Sequence, residues 1–113
     1  MDLSRLKETF YNDLDDDVFA ELAKNLRPQS IDSWWATTTF AAWRYIPTTF
    51  VMCTKSLPKI LHLTRGMMLN AKESGEGKHM IDTELEVESG HAVILSKPEW
   101  TANMLREAAG EKL

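Results

Sequence analysis

Two strand-like runs joined by a single helix-length segment constrain this chain more than any other feature. Thr48 to Cys53, entered through the turn Tyr45-Ile46-Pro47, is a short β-rich run that reads as buried on both faces, as in a parallel sheet. Ser56-Leu57-Pro58 then opens a helix with a proline near its first turn. Ile60, Leu61, Leu63, Thr64, Met67, Met68 and Ala71 carry it to about Lys72. After a polar turn, Glu73 to Lys78, the run Met80 to Glu88 alternates Ile81, Thr83, Leu85 and Val87 against Asp82, Glu84, Glu86 and Glu88. That pattern predicts an edge strand with one buried face and one wet face. A Pro-led helix from Lys97 to Ala109 closes the chain and is expected to bury Trp100, Met104, Leu105 and Ala108. The pattern is one parallel crossover unit plus a covering helix, an α/β arrangement. Two parallel strands make a poor sheet, however, and Met1 to Arg44 offers no neighbour for them. The pattern itself signals an incomplete fold.

The first part of the chain reads as helical. Leu3, Leu6, Phe10 and Leu14 recur at helical spacing and predict a helix over about Ser4 to Asn12. A second helix starts at the aspartates and runs through Val18, Phe19, Leu22, Ala23 and Leu26, to be stopped by Arg27-Pro28. Gln29 to Arg44 is a mixed segment whose Trp34, Trp35, Phe40 and Trp43 are too many large aromatics for an open loop. They predict core packing or the wall of an apolar pocket.

Composition narrows the class. With 113 residues there is room for one domain, and 43% apolar against 27% charged residues is ordinary for a soluble globular protein. A net charge of -4 leaves no basic face for phosphates, so nucleic acid is excluded as a main partner. Asp13, Asp15, Asp16 and Asp17 read as a solvated helix start rather than a cation site. Cys53 is the only cysteine, which excludes an internal disulfide and fits a reducing compartment. In its apolar strand it reads as a buried, inert thiol. Neither a leader nor a run of the ~20 apolar residues needed to cross a bilayer is apparent. The expectation is a cytoplasmic protein with no membrane partner, no metal and no cofactor.

One stretch carries chemistry. Ser89-Gly90-His91 follows the second strand, and Ser96-Lys97-Pro98 opens the final helix. Upstream stands Ile46-Pro47-Thr48-Thr49, an apolar strand, then Cys53-Thr54. In this order and spacing the two patterns resemble the C-terminal half of α/β-hydrolases of the plant methylesterase and hydroxynitrile-lyase type and their fungal relatives. The resemblance runs from about Phe10 to the end. It implies a partial α/β-hydrolase domain over 1–113, with 1–44 a remnant of the helical cap and 45–113 the last two core strands and their helices. Trp34, Trp35 and Phe40 would then line the substrate pocket. His91 matches the catalytic base, which takes the serine proton and returns it to the leaving alcohol. His62 and His79 have no such context and are expected to face solvent.

The departures matter as much. Relatives place an acidic pair after Cys-Thr, whereas this chain runs Cys53-Thr54-Lys55-Ser56-Leu57-Pro58, with no carboxylate between Thr54 and Leu57. Replacing that acid in a comparable triad costs ~10⁴ in turnover. Glu84, Glu86 and Glu88 lie on the strand leading to His91 and are expected to point away from the Thr54 loop. No serine stands in a Gly-x-Ser-x-Gly turn, so the nucleophile and its oxyanion donors are missing as well.

Three readings follow. The first is a truncated α/β-hydrolase chain, ancestrally cleaving small-molecule esters through a Ser-His-Asp triad and inactive alone. The second is a non-catalytic binding or regulatory module that pairs with a full-length hydrolase, another partner or a second copy through its exposed sheet edge. The third, a small enzyme using Cys53 with His91, is opposed by the strand context of the thiol.

Overall fold

The computed structural model describes residues 2–75 and 80–113, so the turn's Glu76 to Lys78 and the nearby His79 lie outside the described residues. Among the described residues the elements run α1 (Leu3–Phe10), α2 (Asp16–Ala23), α3 (Asp32–Trp35), a 3-10 turn (Ala42–Arg44), β1 (Thr49–Cys53), α4 (Pro58–Glu73), β2 (Thr83–Val87), α5 (Val93–Ser96) and α6 (Pro98–Ala108). The expected crossover is present. β1 and β2 pair in parallel, with Thr49 opposite Thr83 and Cys53 opposite Val87, in a sheet of two strands.

Parallel register assigns the two faces. Phe50 and Met52 share one face with Glu84 and Glu86, while Thr49, Val51 and Cys53 share the other with Thr83, Leu85 and Val87. The crossover helix α4 packs on β1, and Met68 of α4 and Met52 of β1 are both buried, at 8% and 4% exposed, with the Thr64 hydroxyl 3.6 Å from the Met52 sulfur. On the glutamate face Lys72 reaches across to pair with Glu84. Thr49, Val51, Thr83, Leu85 and the α6 residue Met104 line two open cavities between sheet and helix.

Three expectations are corrected here. β1 is half-buried rather than buried on both faces, with Met52 its one buried side chain, because α4 and α6 cover it incompletely. The second strand begins at Thr83 rather than Met80, because Ile81 takes φ 68° and breaks the extended run. That conformation is an outlier for a β-branched residue and costs of order 1–3 kcal/mol. It turns Asp82 so that its carboxylate accepts the Thr48 N–H at 2.7 Å. In α6, Trp100 and Met104 are half-buried while Leu105 and Ala108 remain exposed, since no second layer lies beyond the helix.

The largest correction concerns Trp34, Trp35 and Phe40, which are not core, whereas Trp43 of the same segment is half-buried and lines a cavity with Phe50, Met67 and Ile81. Trp34 is 69% exposed, Trp35 80% and Phe40 64%. Phe40 stacks on Tyr45 with ring centroids 5.3 Å apart, and Trp34 and Trp35 line a surface cavity with Ile31. Apart from the Phe40–Tyr45 stack, these three rings stay largely open to solvent.

The chain as a whole is open for its size. A folded protein of this mass, 12.9 kDa, should expose about 6,300 Å² by the usual surface scaling, whereas this chain exposes 8637 Å². Its radius of gyration is 16.0 Å, against about 13 Å for a compact domain of equal length. Among the described residues no helix is long and apolar enough to cross a membrane.

Candidate functional site

Chemistry-bearing residues converge at the carboxyl ends of the two strands. The ladder extends past both: Thr54 N–H donates to Val87 O at 2.9 Å and Lys55 N–H to Ser89 O at 2.9 Å. The turn after β1 and the loop after β2 are therefore neighbours. They bring His91 to the same small cavity as Cys53 and Ser56, about 190 Å³, closed by Val51, Thr64 and Val93. The His91 ring is exposed and tilts against Phe10 of α1, centroids 5.5 Å apart at 55°. His62 is exposed on α4, away from this cavity.

Between Thr54 and Leu57 stand only Lys55 and Ser56, and Ser56 is buried. Glu88 departs from its expected direction: its carboxylate lies 3.2 Å from Lys55 Nζ, inside the turn it was expected to avoid. Both partners are exposed, which makes this a surface pair of small energetic weight. Among the described residues no carboxylate pairs with the His91 ring. Burial pushes the Cys53 thiol above its ordinary value and the Asp13 charge adds to the shift. A thiol so held stays protonated at neutral pH, which is the inert state.

A third segment, not anticipated from the sequence, completes the junction. The α1–α2 connection places Asn12 and Asp13 against both strand ends. Asn12 Nδ2 donates to Lys55 O at 2.8 Å. Asp13 Oδ2 accepts the Gly90 N–H at 2.6 Å and the Ser89 hydroxyl at 3.2 Å. Ser89, 1% exposed, also lies 2.8 Å from the Ser96 hydroxyl and so ties the loop to α5. Gly90 is a glycine because of this approach. A Cβ there would come within 2.6 Å of Asn12 Oδ1 and overlap the Asp13 carboxylate. Burial is the largest single influence on Asp13 and pushes its carboxyl up. Donation from Gly90 N–H, Ser96 and Ser89 together outweighs it and holds the carboxyl below its ordinary value. Asp13 is thus ionised and bound to the His91 loop, not part of a solvated helix start. Asp16 and Asp17 do fill the first turn of α2.

The sequence holds one hint of this, the glycine directly before His91. It announces a close approach without naming the segment that makes it.

The arrangement presents an exposed imidazole on an organised loop beside a small cavity with hydroxyl and thiol walls. Imidazole is the side chain most often used to take and return a proton in catalysis.

Comparison with known proteins bears on the fold alone. Over all 113 residues the chain is 27% identical to the α/β hydrolase nvfD of Aspergillus novofumigatus. It spans 42% of that protein's length. The similarity supports a relationship to the α/β-hydrolase superfamily and to no narrower group, and the two parallel strands between helices are compatible with a part of such a fold. No family model matches the chain, and no solved structure matches it.

Proposed function

We propose that this chain carries the histidine side of an α/β-hydrolase ester-cleaving site. His91 would serve as the general base, with the serine nucleophile, the acid and the oxyanion donors supplied from outside these 113 residues. The observation that carries this reading is His91 in the loop after the second of two parallel strands, sharing one cavity with the turn after the first. Trp34, Trp35 and Phe40 then wall the apolar acyl or alcohol side of the substrate pocket once a covering surface is supplied. Alone the chain is a poor esterase, since a base without nucleophile or oxyanion hole offers at most ~10²–10⁴ of general-base acceleration.

A second reading rests on the surface the chain leaves open, roughly 2,300 Å² beyond the scaling expectation of about 6,300 Å². Obligate complexes bury areas of that order. The chain then acts as a binding module that docks on a full-length hydrolase, or on a second copy of itself, through its sheet edge.

One experiment separates the readings. The chain is assayed against p-nitrophenyl acetate alone, and again after co-expression with the part of the Aspergillus novofumigatus hydrolase that it does not span. The hydrolase reading expects no more hydrolysis from the chain alone than from free imidazole at the same concentration, and turnover in the reconstituted complex that His91→Ala abolishes. A stable complex whose hydrolysis ignores His91→Ala leaves only the binding module.

A further inference from the structure

We infer that Asp13 is the positioning residue of His91: its carboxylate, delivered from the α1–α2 connection, sets the loop that presents the imidazole. The inference rests on the reading of His91 as a base, and adds to it a residue 78 positions away in the chain that no local pattern assigns.

Three features support it. The Asp13 carboxylate grips the loop at its backbone, taking the N–H of Gly90, the residue directly before His91, at 2.6 Å. It also takes the hydroxyl of Ser89 at 3.2 Å, and Ser89 in turn meets Ser96 at 2.8 Å, so the loop is fixed on both sides of the imidazole. Finally, the helix leading to Asp13 supplies the ring on which His91 rests, since Phe10 ends α1 and lies 5.5 Å from the imidazole centroid. The carboxylate and the ring that orient His91 therefore arrive on one connected segment. Asn12 fastens that segment to the other strand end through Lys55 O.

Positioning of this kind decides rates, because a 1 Å misplacement of a catalytic group can cost ~10²-fold. Asp13 does not touch the imidazole by any hydrogen bond or ion pair. It acts through the backbone, which distinguishes it from the acid of a triad.

The test uses the full chain and needs no ester. Nuclear magnetic resonance reads two signatures: the contact between the His91 and Phe10 rings, as a ring-current displacement of the imidazole protons, and the exchange rate of the Gly90 amide. Three variants are compared. Asp13→Ala removes the carboxylate, Asp13→Asn keeps its shape without the charge, and Gly90→Ala expels the carboxylate from the other side. We expect the ring-current displacement to vanish and Gly90 exchange to rise at least ~10-fold in Asp13→Ala and Gly90→Ala, with Asp13→Asn between them and the wild type. The β1 and β2 amides should lose protection by clearly less than the Gly90 amide does.

Retention of the ring contact in both Asp13→Ala and Gly90→Ala overturns the inference. Loss of sheet protection in step with the loop, in Asp13→Asn as well as Asp13→Ala, also overturns it, because the carboxylate then supports the fold at large. If the loop signatures behave as expected while the reconstituted complex hydrolyses no ester, the hydrolase reading fails and the positioning role stands.

Discussion

The strand-end junction and the aromatic segment reverse the roles their residue types suggest. At the junction, charged and polar groups lie in close, mutually satisfied contact: Asp13 on Gly90 and Ser89, Asn12 on Lys55, Ser89 on Ser96. Around Asp32–Trp35, large apolar rings stand in solvent, with Trp35 80% exposed. The difference shows where this chain supplies its own partners. Every group needed to close the junction is encoded within the 113 residues, so it closes. The aromatic rings need an apolar surface that no described element provides, so they stay exposed despite the ~25 cal/mol per Å² that burial would return. The junction is self-contained. Trp34, Trp35 and Phe40 are left largely without an apolar cover among the described residues.

The comparison breaks most visibly if the sheet beneath the junction is not a real core. Met52→Ala removes the best-buried side chain of β1, under α4. The expected loss is about 2–5 kcal/mol in urea unfolding, the range for deleting a buried methionine side chain. A change below ~1 kcal/mol would mean that the sheet packs no better than the aromatic segment.

Next in size comes the junction itself. Asp13→Ala strands the buried Gly90 N–H, and an orphaned buried donor costs about 1–3 kcal/mol. Urea unfolding of this variant beside Glu86→Ala, an exposed carboxylate on β2, checks that the cost belongs to the contact rather than to lost charge. Equal effects in the two variants would remove the distinction.

The Asp13 carboxyl also gives the junction a pH signature. Its folded value lies below the unfolded one because the donations from Gly90, Ser96 and Ser89 outweigh burial. Its contribution is therefore present above the unfolded pKa, about 3.9, and is lost as the pH falls through the depressed folded value. Asp2, held down by Ser4, and Asp16, held down by Lys7, act in the same direction from exposed positions. Since Asp13 is itself partly open to solvent, screening keeps the effect modest. The stability gap between wild type and Asp13→Asn, measured between pH 5 and pH 3, should narrow as acid is added. A gap that stays constant would show that the carboxyl is not the titrating element.

The same comparison explains what the sequence disclosed. The β1–α4–β2 crossover was legible because its signals are local: an apolar run, Pro58 at the helix start, and the period-two alternation of Thr83 to Val87. His91 was legible through its Gly-His setting and the resemblance of its flanks. Asp13 was not, because it stands beside Asp15, Asp16 and Asp17, where composition reads one acidic helix start, and its partner lies 77 residues on. Long-range polar contacts leave no periodicity. Trp34, Trp35 and Phe40 misled in the opposite sense. Apolar content announces a need for burial, and only the neighbouring elements decide whether it is met.

The smallest expected effect is for that reason the sharpest for the aromatic segment. Trp35→Ala in the chain alone should change stability by no more than about 0.5 kcal/mol, as for surface positions without a packing role. Elsewhere, truncating a buried tryptophan costs 3–5 kcal/mol, so a null result is informative. The expectation inverts once a partner is present. If the co-expressed hydrolase portion covers the segment, Trp35→Ala should weaken the complex by the 2 kcal/mol or more typical of a buried aromatic anchor, and the Trp35 fluorescence should shift to the blue on association. A large loss of stability in the isolated chain would place Trp35 in a core of its own. No change in either setting would mean that the rings serve no interface, and the reading of this segment as half a pocket would fall.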